Sequence, residues 1–147
     1  MTDSPSCIFC KIARGDAPTF VVHEDESCIA FLDLRPVREG HTMVIPKDHV
    51  DHFMDLDASV SGHILDVAQN LARKIREALS PPRVGYVVSG FGVAHAHFHV
   101  IPLWDEDDIT SRQYLDLSRN PVSFRAEAIP IPPPQNQQKI LDMLRLP

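Results

Sequence analysis

The stretch "GVAHAHFHVIP", Gly92 to Pro102, places His95, His97 and His99 at every second position. In a helix, positions i, i+2 and i+4 fan out around the axis, whereas in a strand they share one face. The spacing therefore predicts a strand with three imidazoles on one side and Ala96, Phe98 and Val100 as an apolar face on the other. Pro102 closes the run before the acidic "DEDD", Asp105 to Asp108. A single histidine near a strand edge is ordinarily a satisfied polar residue. Three in strict alternation, out of eight in the chain, point to chemistry, because near neutral pH imidazole transfers protons, attacks electrophiles and binds metals.

The rest of the chain supplies a frame for such a strand. Segments rich in Val, Ile and Phe run from Phe20 to Val22, Cys28 to Leu34 and Thr42 to Ile45, separated by turn material such as "HEDES" and "RPVREG". They read as successive antiparallel strands. In "DLDASVSGHILDVAQNLARKIREALSPP", Val60, Ile64, Val67, Ala68, Leu71, Ala72, Ile75 and Leu79 recur at helical spacing. An aspartate near the start is placed to cap this helix, and Pro81 and Pro82 end it. Its apolar stripe needs a partner, which the sheet supplies. A short helix is expected from Ile8 to Ala13, a strand from Val84 to Val88, and a tight turn at "SGFG" before the histidine strand. Residues 1–105 read as one domain and residues 106–147 as a C-terminal extension, in which the proline-rich "AIPIPPP" leads to a short terminal helix in "NQQKILDMLRL".

Composition narrows the function. A chain of 147 residues, 44% hydrophobic and 23% charged, suits one soluble domain with a packed core. Its net charge of -6 leaves no basic stripe to replace phosphate counterions, so nucleic acid is not the expected partner, while a small phosphate-bearing ligand held by a few donors is allowed. The polar "MTDSPS" and the lack of a long apolar run predict no membrane association and a cytoplasmic protein. Among three cysteines, Cys7 and Cys10 form a C-x-x-C pair, a spacing of metal or redox sites rather than of a secreted disulfide framework. Two histidines would complete a tetrahedral zinc site, with His95 as one candidate and His41, His49 or His52 as the other.

"CIFCKI", "IAFLDLRPVREGHTMVIPKDHV" and "HAHFHVIP" together resemble the histidine-triad (HIT) superfamily over about Cys7 to Pro102, with the pieces in the family's order. The resemblance implies an α+β, HIT-like fold: a mainly antiparallel sheet of about five strands, one long helix and a short N-terminal helix. It also implies a homodimer whose sheets run on from one subunit to the other. On matching positions, His97 falls on the nucleophile, while His99 and His41 line the phosphate site. Asp33 falls on the ribose-binding acid, Ile8, Phe9, Phe31 and Leu34 on positions that sandwich the purine, and Cys7, Cys10, His49 and His95 on the ligands of a structural zinc ion. The implied activity is cleavage at the α-phosphate of an adenine nucleotide conjugate through a nucleotidyl-histidine, releasing the nucleoside monophosphate. Phosphoramidates, mixed anhydrides and dinucleoside polyphosphates are the implied substrate types.

One departure stands out. Many relatives carry a longer glycine-rich loop with Asn, and Gln or Ser just before the triad, where this chain has Phe91 and Gly92. Leaving-group assistance is then expected from Ser89, from the backbone N–H groups around Gly90 and Gly92, or from a residue of the tail. The departure also opens a second reading, a nucleotide sensor with little or no turnover. A third makes the triad part of a zinc-stabilised scaffold.

Overall fold

The computed structural model describes residues 3–110 and 114–147. Alternating apolar segments form β1 (Val21–Glu24), β2 (Cys28–Leu32), β3 (Thr42–Pro46), β4 (Arg83–Val87) and β5 (Phe98–Leu103). These pair antiparallel in the order β1-β2-β3-β5-β4, which places β5 inside the sheet and leaves β4 at an edge. The helices are α1 (Ile8–Ala13), α2 (Ala58–Leu79) and α3 (Pro134–Leu144), and a two-stranded ribbon of β6 (Leu115–Asp116) and β7 (Ser123–Phe124) lies in the tail. The expected α+β architecture, a five-stranded antiparallel sheet with one long helix and a short N-terminal helix, is the one observed.

β2 is an unbroken apolar run and is buried along its whole length because both of its faces are covered. Cys28, Ala30 and Leu32 enter the core beneath α2, while Ile29 and Phe31 pack on the other face with Met43, Ile45 and the α1 residues Phe9, Ile12 and Ala13. On α2, Ile64, Val67, Ala68, Leu71 and Ile75 are buried, which is the stripe its periodicity predicts. Truncating the fully buried Leu71 to Ala would cost about 2–5 kcal/mol, the lost transfer energy plus a cavity. Asp57 occupies the N-cap, but its side chain makes no capping hydrogen bond, contrary to expectation. At the other end Ser80 adopts the left-handed conformation and donates its N–H to the Arg76 carbonyl before the two prolines.

The tail folds back onto the body. Ile140, Leu141 and Leu144 of α3 join the core under α2, and the Leu146 N–H donates to the Val22 carbonyl at 2.9 Å. The expected extension at 106–147 includes residues 111–113, which lie outside the described residues.

The histidine run differs from the expected strand. Ladder pairing begins only at Phe98, so His95 and His97 lie on the approach to β5 and His99 alone is within it. The reason is where the backbone bonds go: the Ala96 N–H reaches the Val50 carbonyl, outside the sheet. The tight turn expected at "SGFG" is likewise a longer excursion from Val88 to His97, with Gly90 and Gly92 both at positive φ.

Candidate active site

The β2–β3 connection and β5 bring three histidines together. Gly40 has φ +93°, and a Cβ there would meet Leu79 at 2.6 Å, so glycine is required for the turn that delivers His41 to the start of β3. Met43 pairs with His99 across β3 and β5, on the sheet face away from α2. The rings form a row: His41 to His99 at 5.1 Å between centroids, His99 to His97 at 5.1 Å, His97 to Phe9 at 5.5 Å and Phe9 to Phe31 at 5.7 Å. His41 and His97 are each only 4% exposed.

Hydrogen bonding determines which nitrogen carries each proton. A carbonyl only accepts, so His97 Nδ1, 2.7 Å from the His95 carbonyl, must be its N–H, and Nε2 keeps a lone pair when the ring is neutral. The Val37 N–H donates to His41 Nδ1 at 3.2 Å, which leaves the His41 proton on Nε2. That proton is donated to His99 Nδ1 at 2.9 Å, and His99 in turn carries its own on Nε2. Burial pushes His41 down, against the pull of Asp33. It pushes His99 down to about 4, helped by the neighbouring His41 and His97 and opposed by Asp33. Neutral rings are the state the relay requires, since a protonated His99 would aim an N–H at the N–H of His41.

Beside the row, Cys7, Cys10, His49 and His95 converge, with their ligand atoms all within 4.8 Å of one another. His95 Nε2 donates to the Pro46 carbonyl at 2.9 Å, so its Nδ1 lone pair faces the Cys7 and Cys10 sulfurs, each 3.6 Å away. Cys10 Sγ lies 3.3 Å from His49 Nδ1. Sulfur and nitrogen ligands on opposite ends of a tetrahedral zinc edge lie about 3.6 Å apart, so both donor set and spacing fit zinc. Burial pushes the Cys10 thiol up, which keeps it protonated unless a cation replaces the proton. Of the three histidines considered for the fourth ligand, His49 is the one gathered here; His41 belongs to the relay, and His52 pairs with Asp51 at the surface.

Two cavities flank this face and share Asp33 and Leu34. One, of 640 Å³, is mostly apolar and is lined by Ile8, Phe9, Phe31, Asp33 and Leu34 together with Pro18 and Phe20. The other, of 510 Å³, holds His41, His99 and Ser89 against Ile109, Ala126 and Ile129 of the tail. Asp33 thus stands at the junction, its Oδ1 accepting the Arg35 N–H at 2.8 Å and its Oδ2 lying 3.6 Å from His41 Nε2. His97 is tucked between Phe9, on the first cavity, and His99, on the second. Gly92 lies in the exposed loop and lines neither cavity.

The sequence offered the tail only as a source of an unnamed donor; it did not reveal which tail residues support this site. Gln137 of α3 is buried and donates to the Asp33 carbonyl at 3.1 Å, and Arg35 donates to the Ile129 carbonyl at 2.6 Å. The one available hint was the apolar spacing of Ile140, Leu141 and Leu144, which requires a docked helix and so brings Gln137 inward.

The HIT domain family model matches residues 14–105. The Protein hit of Bacillus subtilis is 36% identical over 108 residues, covering 70% of this chain and 74% of that protein. An adenosine 5'-monophosphoramidase of Candida albicans is 36% identical over 115 residues, covering 72% and 76%. Among solved structures, a zinc-bound histidine triad family protein from Mycobacterium smegmatis superposes with TM-score 0.72 at 29% identity, over 95% of this chain and 91% of that one.

Proposed function

The chain belongs to the histidine-triad (HIT) family, and we propose that it cleaves purine nucleotide conjugates at the α-phosphate, with His97 as the nucleophile. The family-level activity is that of a nucleotide hydrolase or transferase. In the proposed reaction, His97 Nε2 donates its lone pair to the α-phosphorus while the bond from phosphorus to the leaving group breaks and that group departs with the electron pair and takes up a proton. Water then attacks the nucleotidyl-histidine, releasing the nucleoside monophosphate and restoring the ring. His99 Nε2–H, set by the relay from the Val37 N–H through His41, donates to a nonbridging oxygen as negative charge grows there. Ser89, on the His99 cavity, is the side-chain donor available in place of the polar loop residues that Phe91 and Gly92 replace.

Asp33 accepts from the ribose hydroxyls, and the purine enters the apolar cavity between Ile8, Phe9, Phe31 and Leu34, with adenine the expected base. Zinc held by Cys7, Cys10, His49 and His95 is structural in this reading: it fixes the approach to β5 and thereby the carbonyl that orients His97. The edge position of β4 suits a homodimer whose sheet continues across it. Among the described residues no helix is long and apolar enough to cross a membrane.

The observation that carries the proposal is the 2.7 Å bond from His97 Nδ1 to the His95 carbonyl, because it leaves the other nitrogen free to attack. The test is incubation with an adenosine phosphoramidate and, separately, a diadenosine polyphosphate, following AMP release and an adenylyl adduct on the protein. Wild type should yield both and His97→Gly neither. AMP forming equally fast in the variant would sink the nucleophile assignment. Exposed Phe91 in the loop favours the sensor as second reading, and AMP binding without turnover by wild type would establish it.

A further inference from the structure

On the α2 side of the sheet a second cluster of metal-binding side chains converges from three elements and their connection. Asp25 lies in the β1–β2 turn, and its Oδ1 accepts the Ser27 and Cys28 N–H groups at 2.8 and 2.9 Å, which leaves Oδ2 facing the cluster. His23 Nε2 of β1 lies 2.9 Å from that oxygen, His63 Nε2 of α2 lies 2.7 Å away, and Cys28 Sγ at the start of β2 lies 3.6 Å away. Across a register shift between Val21 and His23, the neighbours Val22 and His23 both reach groups on the α2 side. The ligand atoms of His23, Asp25 and Cys28 are all within 4.8 Å of one another.

We propose that His23, Asp25, Cys28 and His63 form a second zinc site, which ties α2 to the β1–β2 hairpin. Hydrogen bonds alone satisfy Asp25, so it is the kinds of donor gathered at one oxygen that point to a metal. Two imidazoles, a carboxylate and a thiol are zinc's own ligand set, and the thiolate disfavours calcium and magnesium. Charge also balances, since a dication would meet one carboxylate and one thiolate in a partly buried place. On binding, the Cys28 thiol loses its proton to solvent, and both imidazoles move their proton from Nε2 to Nδ1 to present a lone pair. His63 meets the other three only at Asp25 Oδ2 and is half-exposed, so it is the ligand that would turn inward to close the set.

The site is independent of the Cys7–Cys10 cluster and of the proposed activity. Zinc bound per chain is counted after saturation and desalting, in wild type and in His63→Gln and His23→Gln, whose amides still donate to Asp25 but bind zinc poorly. Each variant should lose one ion per chain relative to wild type. A spectroscopic signature comes from Co(II): Cys28 is the only cysteine left in Cys7→Ser/Cys10→Ser, so thiolate-to-cobalt absorption in that protein at neutral pH reports this site alone. That absorption should persist there and vanish when His63→Gln is added. Equal zinc counts in wild type and both histidine variants would overturn the proposal, as would a Cys7→Ser/Cys10→Ser protein that folds and shows no thiolate-to-cobalt band. Should that double variant not fold, the zinc count decides alone.

Discussion

His95 and His97 lie two residues apart on the approach to β5, and each gives one ring nitrogen to a main-chain carbonyl, yet the nitrogen given away differs. His95 gives Nε2 to Pro46 and turns a lone pair on Nδ1 toward two sulfurs. His97 gives Nδ1 to His95 and keeps a lone pair on Nε2. One region is thereby suited to a cation and the other to an electrophile, although the residue type is the same. What distinguishes them is the position of a carbonyl, so backbone geometry rather than side-chain identity divides the labour of this histidine run.

Substitution at the two positions should separate those roles, and the largest effect is expected at His97. His97→Gly should lower AMP release by about 10³-fold or more, as removal of a nucleophile does, while zinc content stays at the wild-type value. His95→Ala should instead lose one zinc per chain. If the two variants lose zinc and turnover together and equally, the division between the regions is wrong. Next in size is the metal end itself. Cys10→Ser should release that same ion and lower the unfolding free energy by about 3 kcal/mol or more, because folding and metal binding are linked. Denaturant titration with and without chelator checks it: chelator should lower wild type toward the variant and leave the variant's remaining gap small.

Much of this contrast was legible in the sequence. Short runs rich in Val, Ile and Phe, bounded by turn residues, located β2, β3 and β4 to within a residue or two, and the α2 stripe from Ile64 to Ile75 is buried as its spacing requires. The zinc-type cluster and the triad row are assembled from the residues singled out, including His49 over His41 and His52. Hydrogen-bond partners far along the chain were not legible. Alternation places His95 and His97 on a strand, but the Val50 carbonyl takes the Ala96 N–H, and pairing starts at Phe98. Nor does any local pattern reveal that Asp25 collects His63 from 38 residues away, or that buried Asp108 takes Arg38 at 2.7 Å and holds the tail beside the site. Such contacts depend on how elements dock, and docking is set by the whole core.

A smaller effect should follow pH at the phosphorus end. The folded His99 is pushed down to about 4, chiefly by burial, against an ordinary value near 6.5. Between these values the unfolded chain takes up a proton that the folded protein refuses, so stability is fully present above about pH 6.5 and is lost as pH falls toward 4. From pH 7.5 to pH 5 this single group removes about 2 kcal/mol. Urea unfolding at both pH values should show that loss in wild type and a flatter dependence in His99→Gln, where His41 still contributes in the same direction. An unchanged slope in the variant would mean that His99 is not the group that burial pushes down in the folded protein.

The two regions differ finally in what supports them from outside the triad. The cysteine end is backed by α1 and β3, through Cys7, Cys10 and the Pro46 carbonyl. The His97–His99 end leans on the tail, where Gln137 of α3 donates to the Asp33 carbonyl and holds the backbone of the acid proposed to bind ribose. Gln137→Leu keeps the volume and removes the donor, leaving a carbonyl under-satisfied, so it should cost about 1 kcal/mol of stability. It should also raise KM for an adenosine conjugate several-fold with kcat little changed, because in the proposed reaction Asp33 would bind ribose in the ground and transition states alike. Zinc content should not move. A fall in kcat with KM unchanged would instead make the tail a support for the reacting histidines, and the phosphorus end would then reach from His97 to α3 as one unit.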